Sequence, residues 1–124
     1  MWHANRKKAT IETQARLFMA CWDVIASTED ELRFRLRKQT LTLHALNDVL
    51  ERAAACDSKP GIQYVFDLSS ACDMDSCFSV ICALFVRFVS QVGQRCRITG
   101  LNPRLAEIMA FFFRKVSCVE LEPC

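Results

Sequence analysis

The sequence has no marked charge of either sign, only two histidines, no C-x-x-C pair and no membrane-length apolar run, and each absence removes a class of function. Sixteen basic and 14 acidic residues leave a formal net charge of +2. The strong basic excess on one face that nucleic-acid binders carry is missing, so no nucleic-acid partner is expected. Only His3 and His44 could complete a zinc set. The eight cysteines, at positions 21, 56, 72, 77, 82, 96, 118 and 124, show no paired metal-ligand spacing. The start MWHANRKKATIE has neither the apolar stretch nor the small-residue cleavage site of a secretory leader. A reducing, cytoplasmic setting is therefore expected, with cysteines that are free, mostly buried and packed as small hydrophobes. Arg87 interrupts the longest apolar run before it reaches the roughly 18 to 20 residues of a membrane span, so no direct membrane insertion is expected.

What is present is globular. A chain of 124 residues, 52% hydrophobic and 24% charged, can bury one core without staples and is too short for two domains. Residues 1–9 are polar and basic and read as a solvated tail. From Thr10 to Ala26 the pattern fits a helix or a buried strand, and a helix leading into a strand around Trp22 to Ile25 is the expectation. Residues 1–21 thus form an N-terminal extension of open form that could cover a sheet edge, mediate a homodimer or join a partner surface. In LRFRLRK, Leu32, Phe34 and Leu36 alternate with Arg33, Arg35 and Arg37, the pattern of a half-buried strand with a solvated basic face.

Helical spacing then places Leu43, Leu46, Leu50 and Ala54 on one stripe of a helix over residues 41–55, which Ser58, Pro60 and Gly61 end. IQYVFDL, residues 62–68, reads as a central buried strand. Residues 76–92 read as an apolar helix with Val80, Leu84 and Phe88 on its main stripe, widened by Ile81, Phe85 and Val89 and closed by Gly93. RCRIT, residues 95–99, is a further strand. Asn102 and Pro103 supply a cap and a first-turn proline for PRLAEIMAFFF, and VSCVEL, residues 116–121, is the last strand. The order implies an α/β sandwich: a mixed sheet of four to five strands, the later ones parallel, with helices packed on it.

The loop SSACDMDSCF follows the central strand and precedes the apolar helix, the position where such folds gather functional groups. It carries Asp73, Asp75, Ser76 and Cys77. From the residues alone Ser76 is a helix cap and the aspartates are solvated. A low-pKa thiol at Cys77 is opposed by the nearby carboxylates and lacks a base. A magnesium loop from Asp67, Asp73 and Asp75 lacks a phosphate-binding glycine loop, so no cofactor and no metal is expected. No convergent acid, base and nucleophile argues for an enzyme.

Here the chain resembles the STAS family, the domain named for sulphate transporters and anti-sigma-factor antagonists. Asp67, Leu68 and Ser69 match its strand ending D-L-S, and Asp75 and Ser76 match the start of its D-S/T-x-G-L motif, with Phe78 standing at the glycine. TLTLHALNDVLERA, RCRITGLNPRLAEIM and VSCVEL resemble its first helix, its strand with the third helix, and its last strand. The resemblance spans residues 22–122 and implies a STAS-like domain there. It also implies a bacterial, non-catalytic regulator of transcription that binds an anti-sigma factor acting as a serine kinase. Phosphorylation would fall on Ser76, and Asp73, Asp75, Ser76, Cys77, Phe78 and Ser79 would meet the partner. The alternative it implies is an unphosphorylated adaptor bound to the ATPase of an ABC-type phospholipid transporter.

Overall fold

The computed structural model describes residues 20–27, 30–55, 61–92 and 95–123. Their elements run β1 (Trp22–Ser27), β2 (Glu31–Leu36), β3 (Thr40–Leu41), α1 (Leu43–Ala55), β4 (Gln63–Asp67), β5 (Asp73–Met74), α2 (Phe78–Val92), β6 (Cys96–Leu101), α3 (Pro103–Phe112) and β7 (Val119–Pro123). Ala20 and Cys21, just before β1, are helical as expected; the rest of the expected N-terminal helix and the Gly93 cap fall outside the described residues.

Five strands form one sheet in the order β1-β2-β4-β6-β7. β1 pairs antiparallel with β2, with a bulge between Val24 and Ala26, and every other neighbour pair is parallel. Each parallel step is bridged by one helix. Because the strand order from β2 onward advances in one direction, crossovers of one hand put all three helices on the same face. The strand side chains follow that division. Leu32, Phe34, Leu36, Tyr64, Phe66, Cys96 and Ile98 are buried under the helices. The opposite face carries surface ion pairs around the buried Val65: Arg35 and Arg37 meet Asp23 at 3.2 and 3.8 Å, Arg33 meets Glu31 at 3.4 Å, and Arg97 meets Glu120 at 3.7 Å. Exposed pairs of this kind contribute little each, so the arginine face is solvation with local partners.

The centre of the core is aromatic. Phe66 on β4 stacks on Phe34 at 5.8 Å and meets Phe85 and Phe88 of α2 edge-on at 5.5 and 5.8 Å. Offset and edge-on pairs at such spacings add to the burial energy of each ring. Trp22, buried at the start of β1, donates its indole N–H to the carbonyl of Ala45 in α1 at 2.9 Å, which satisfies the polar end of an otherwise apolar side chain.

Two expected helix faces are rotated. In α1 the buried residues are Ala45, Leu46, Val49, Leu50 and Ala53, while Leu43 is half-buried and Ala54 exposed. In α2 they are Ile81, Cys82, Phe85, Phe88 and Val89. Val80, expected on the main stripe, is 46% exposed, and Leu84 is half-buried. α2 is apolar almost all round, so periodicity alone does not select the face; the aromatic partners Phe66 and Phe113 do.

Gly100 sits at φ +73, and a Cβ there would lie 2.8 Å from backbone atoms of Ser69. Left-handed backbone and a backbone neighbour exclude a side chain together. Gly100→Ala should lower the unfolding free energy by about 2 to 4 kcal/mol, read from urea denaturation; an unchanged midpoint would show that the Ser69 turn can move away.

Candidate functional site

The segment after β4 emerges at the carboxyl end of the parallel strands and is held on three sides. On the β6 side Leu68 N–H donates to Thr99 O at 2.9 Å. On the other side the short strands β3 and β5 pair in parallel, Thr40 opposite Asp73 and Leu41 opposite Met74. Cys72 N–H donates to Gln39 O at 2.7 Å and Asp75 N–H to Leu41 O at 3.0 Å. These bonds tie the segment to the chain entering α1. The third anchor is Asn102. Its Oδ1 accepts from Leu105 N–H at 2.9 Å and caps α3, while its Nδ2 donates to the carbonyls of Ala71 and Cys72 at 3.2 and 3.1 Å. The expected cap residue therefore also clamps the loop, with Leu68, Ala71 and Met74 buried beneath it.

Held in this way, the aspartates face different partners. Asp67 accepts from Ser69 N–H at 2.9 Å in a local turn. Asp73 accepts from Met74 N–H at 2.9 Å and lies 3.6 Å from the Arg104 guanidinium on α3. Asp75 points across the segment: its Oδ2 accepts from Leu43 N–H, the first residue of α1, at 2.8 Å. Thr42 Oγ1 accepts from Ala45 N–H at 3.1 Å at the same helix start. Two side chains from separate parts of the chain thus satisfy donors that a helix N-terminus leaves open. Among the described residues no three His, Cys, Asp or Glu side chains gather as a metal ligand set.

Ser76 is exposed, and its hydroxyl makes no hydrogen bond among the described residues. The helix begins later than the sequence pattern implies. Cys77 O accepts from Val80 N–H and Ile81 N–H, both at 3.1 Å, so Cys77 occupies the cap position and Ser76 stands one residue outside it. Cys77 and Phe78 are half-buried and pack against the core, which turns the bulky residue at the motif's glycine position inward. Ser79 is exposed.

Beside this segment a groove runs between α1 and α2. Two adjoining hollows, about 530 and 300 Å³, share Asn47 and Leu84 in their linings. Leu43, Asp75 and Val80 form the end next to Ser76, and Arg87 and Phe88 line the other. Sequence reasoning missed this groove because it placed Val80 and Leu84 in the core. His44 borders it, 3.6 Å from Asp48 on the exposed side of α1.

The cysteines separate by environment. Cys72 and Cys118 are exposed and Cys82 and Cys96 buried. Burial pushes the Cys82 thiol up to about 11. Burial, with Cys118 and Glu120 nearby, pushes the Cys96 thiol up to about 12. A thiol so raised stays protonated at neutral pH and is a poor nucleophile.

The sheet order, the one-sided helices and the loop at the strand ends together specify a known architecture. The chain has an α/β STAS-like fold. A solved structure, described as the anti-sigma factor antagonist SpoIIAA in its unphosphorylated form, superposes with a TM-score of 0.55 at 15% sequence identity, covering 73% of this chain and 82% of that one. At that identity the likeness to SpoIIAA establishes the fold. No family model matches the sequence, and no curated protein matches it.

Two outcomes follow from the geometry. Asn102→Ala removes a helix cap and both loop clamps and should cost about 1 to 2 kcal/mol, with faster amide hydrogen exchange in residues 69–73 than elsewhere in the loop region. Iodoacetamide at pH 8 should label Cys72 and Cys118 first and leave Cys82 and Cys96 unlabelled until the protein unfolds, as mass spectrometry would show. The sign for stability is set by the same shifts: both buried thiols titrate higher folded than unfolded, so stability declines as pH rises above their ordinary value of 9.0 toward 11 and 12.

Proposed function

We propose that the chain is a regulatory protein–protein interaction domain of the anti-sigma-factor antagonist type, with no catalysis of its own. It docks a kinase-type anti-sigma partner through residues 73–79 and the start of α2, and phosphorylation of Ser76 switches that docking. The observation that carries this reading is Ser76 itself: an exposed residue whose hydroxyl has no partner among the described residues, on a segment braced from three sides, at the carboxyl ends of the parallel strands. A serine that capped α2 would have its hydroxyl occupied; here Cys77 is the N-cap residue and Ser76 lies one position before it. The likeness in fold to SpoIIAA, an anti-sigma factor antagonist, supports the same assignment.

In the reaction a partner kinase transfers the γ-phosphoryl group of a nucleoside triphosphate. The Ser76 Oγ–P bond forms as the bond to the bridging oxygen breaks, the diphosphate leaves, and the hydroxyl proton passes to base or solvent. The product carries about −1.5 to −2 charge next to Asp75 and near Asp73. Such a change alters the surface offered to a partner while the core, which contains no buried charged residue among those described, has no reason to refold.

The exposed Val80 and the groove it borders favour a second reading, a standing apolar interface. In that reading the domain is an unphosphorylated adaptor held on the ATPase of an ABC-type phospholipid transporter.

Incubation with the cognate kinase and a triphosphate should place one phosphate on Ser76 by mass spectrometry and none on Ser76→Ala. Ser76→Asp should weaken partner binding by about tenfold or more, which is about 1.4 kcal/mol. No phosphate on Ser76, together with unchanged binding by Ser76→Asp, would overturn the antagonist reading. Stable co-purification with an ABC ATPase, insensitive to Ser76→Ala, would establish the adaptor instead.

A further inference from the structure

The carboxylate of the motif aspartate beside Ser76 is turned toward the start of α1. That residue's backbone is bonded to Leu41 O at 3.0 Å and its carboxylate holds Leu43 N–H at 2.8 Å. Both bonds end on the same short piece of chain, the entry to α1. One residue further on, the Ser76 hydroxyl is exposed and unbonded among the described residues. A charge placed on Ser76 therefore arrives next to the anion that secures the start of a different helix.

From this we infer that Asp75 is a positioning residue coupling the charge state of Ser76 to the first turn of α1, and so to the mouth of the α1–α2 groove. The inference rests on the proposed modification of Ser76 for its biological use, but its physical content is a property of this chain alone. Two anions on adjacent residues repel. A second anion at Ser76, which lies just before the N-cap of α2, disfavours the Asp75 carboxylate where it stands and weakens the bond to Leu43 N–H. Thr42 still accepts from Ala45 N–H, so α1 is retained and only its first turn loosens.

The consequence reaches the binding surface because the same residues line it. Asp75, Leu43 and Thr42 line the 530 Å³ hollow together with Val80. Displacing Asp75 frees Leu43, which is half-buried against the core, and changes the shape of the groove mouth. Asp73 cannot play this part, since its carboxylate is bonded to the neighbouring Met74 N–H and faces Arg104.

The test uses the purified chain with charge substitutions in place of the modification. The amide of Leu43 is followed by ¹⁵N-resolved spectra and by hydrogen exchange. Ser76→Glu should shift the Leu43 resonance and speed its exchange by about threefold or more at low salt. The effect should shrink at high salt, while the neutral Ser76→Gln leaves Leu43 as in the wild type. Asp75→Asn keeps an acceptor for Leu43 N–H and removes the charge, so Ser76→Glu in that background should have little effect. Asp75→Ala should free Leu43 whatever stands at 76. A merely structural Asp75 would give the same Ser76→Glu response in the Asp75→Asn background as in the wild type, and that result overturns the coupling. A Leu43 amide indifferent to Ser76→Glu, or responding equally to Ser76→Gln, overturns it too. Absence of phosphate on Ser76 in the kinase experiment together with unchanged partner binding by Ser76→Asp, with the Leu43 response present, would overturn the antagonist reading and uphold the coupling.

Discussion

The structure depends on one constraint: the chain that leaves β4 must be bonded to both of its neighbours before it can turn into α2. Leu68 is tied to Thr99, while Cys72, Asp73 and Asp75 are tied to Gln39 and Leu41. These are backbone bonds, so they fix the path of the segment whatever the side chains are. The side chains then use what that path gives them. Asn102 reaches back from α3 to the carbonyls of Ala71 and Cys72, and Gly100 leaves room for the Ser69 turn. A loop with exposed backbone polar groups would be free to flex; here most of its donors are already committed, and the exposed hydroxyl of Ser76 is presented from a fixed base.

Beneath that base lies the aromatic centre of the core. Phe66 is the penultimate residue of β4 and touches rings from β2 and α2. Tyr64, two residues earlier on the same face, meets Phe88 edge-on at 5.0 Å. The strand that delivers the loop therefore has Tyr64, Val65 and Phe66 fully buried, and α2, the helix that leaves the loop, is packed on the same rings. The direction of α2 follows from this packing, and with it the choice of which apolar residues remain outside. Val80 and Leu84 are left to line the groove because Ile81, Phe85 and Phe88 are claimed by the sheet.

Much of the architecture was legible from local pattern. The alternation in LRFRLRK located β2, the apolar run around Tyr64 and Phe66 located β4, and Asn102 with Pro103 marked the start of α3, each because the signal lies within a few consecutive residues. The paired strands β3 and β5 were not legible, since two residues have no periodicity to read. The buried face of α2 was rotated from expectation because apolar residues surround much of that helix and the partner rings decide, while the face of α1 shifted to take in Ala45, Val49 and Ala53. At the site, the exposure and position of Ser76 follow the sequence, but the backbone of Cys77, rather than the serine, opens α2. The destination of the Asp75 carboxylate could not be read at all. It depends on Leu43, 32 residues earlier, coming within reach only after β3 and β5 pair.

The bond from the Trp22 indole to Ala45 O carries a consequence for how the molecule comes apart. Among the described residues β1 is an edge strand, paired on one side only, and edge strands are ordinarily the first to detach. This one holds a carbonyl in the first turn of α1 and buries its largest side chain there. Detaching it would leave an unpaired acceptor and a cavity under the helix, penalties that fall on α1 rather than on β1. The edge of the sheet and the first helix thus belong to a single cooperative unit, and native-state hydrogen exchange would find them opening with one common free energy.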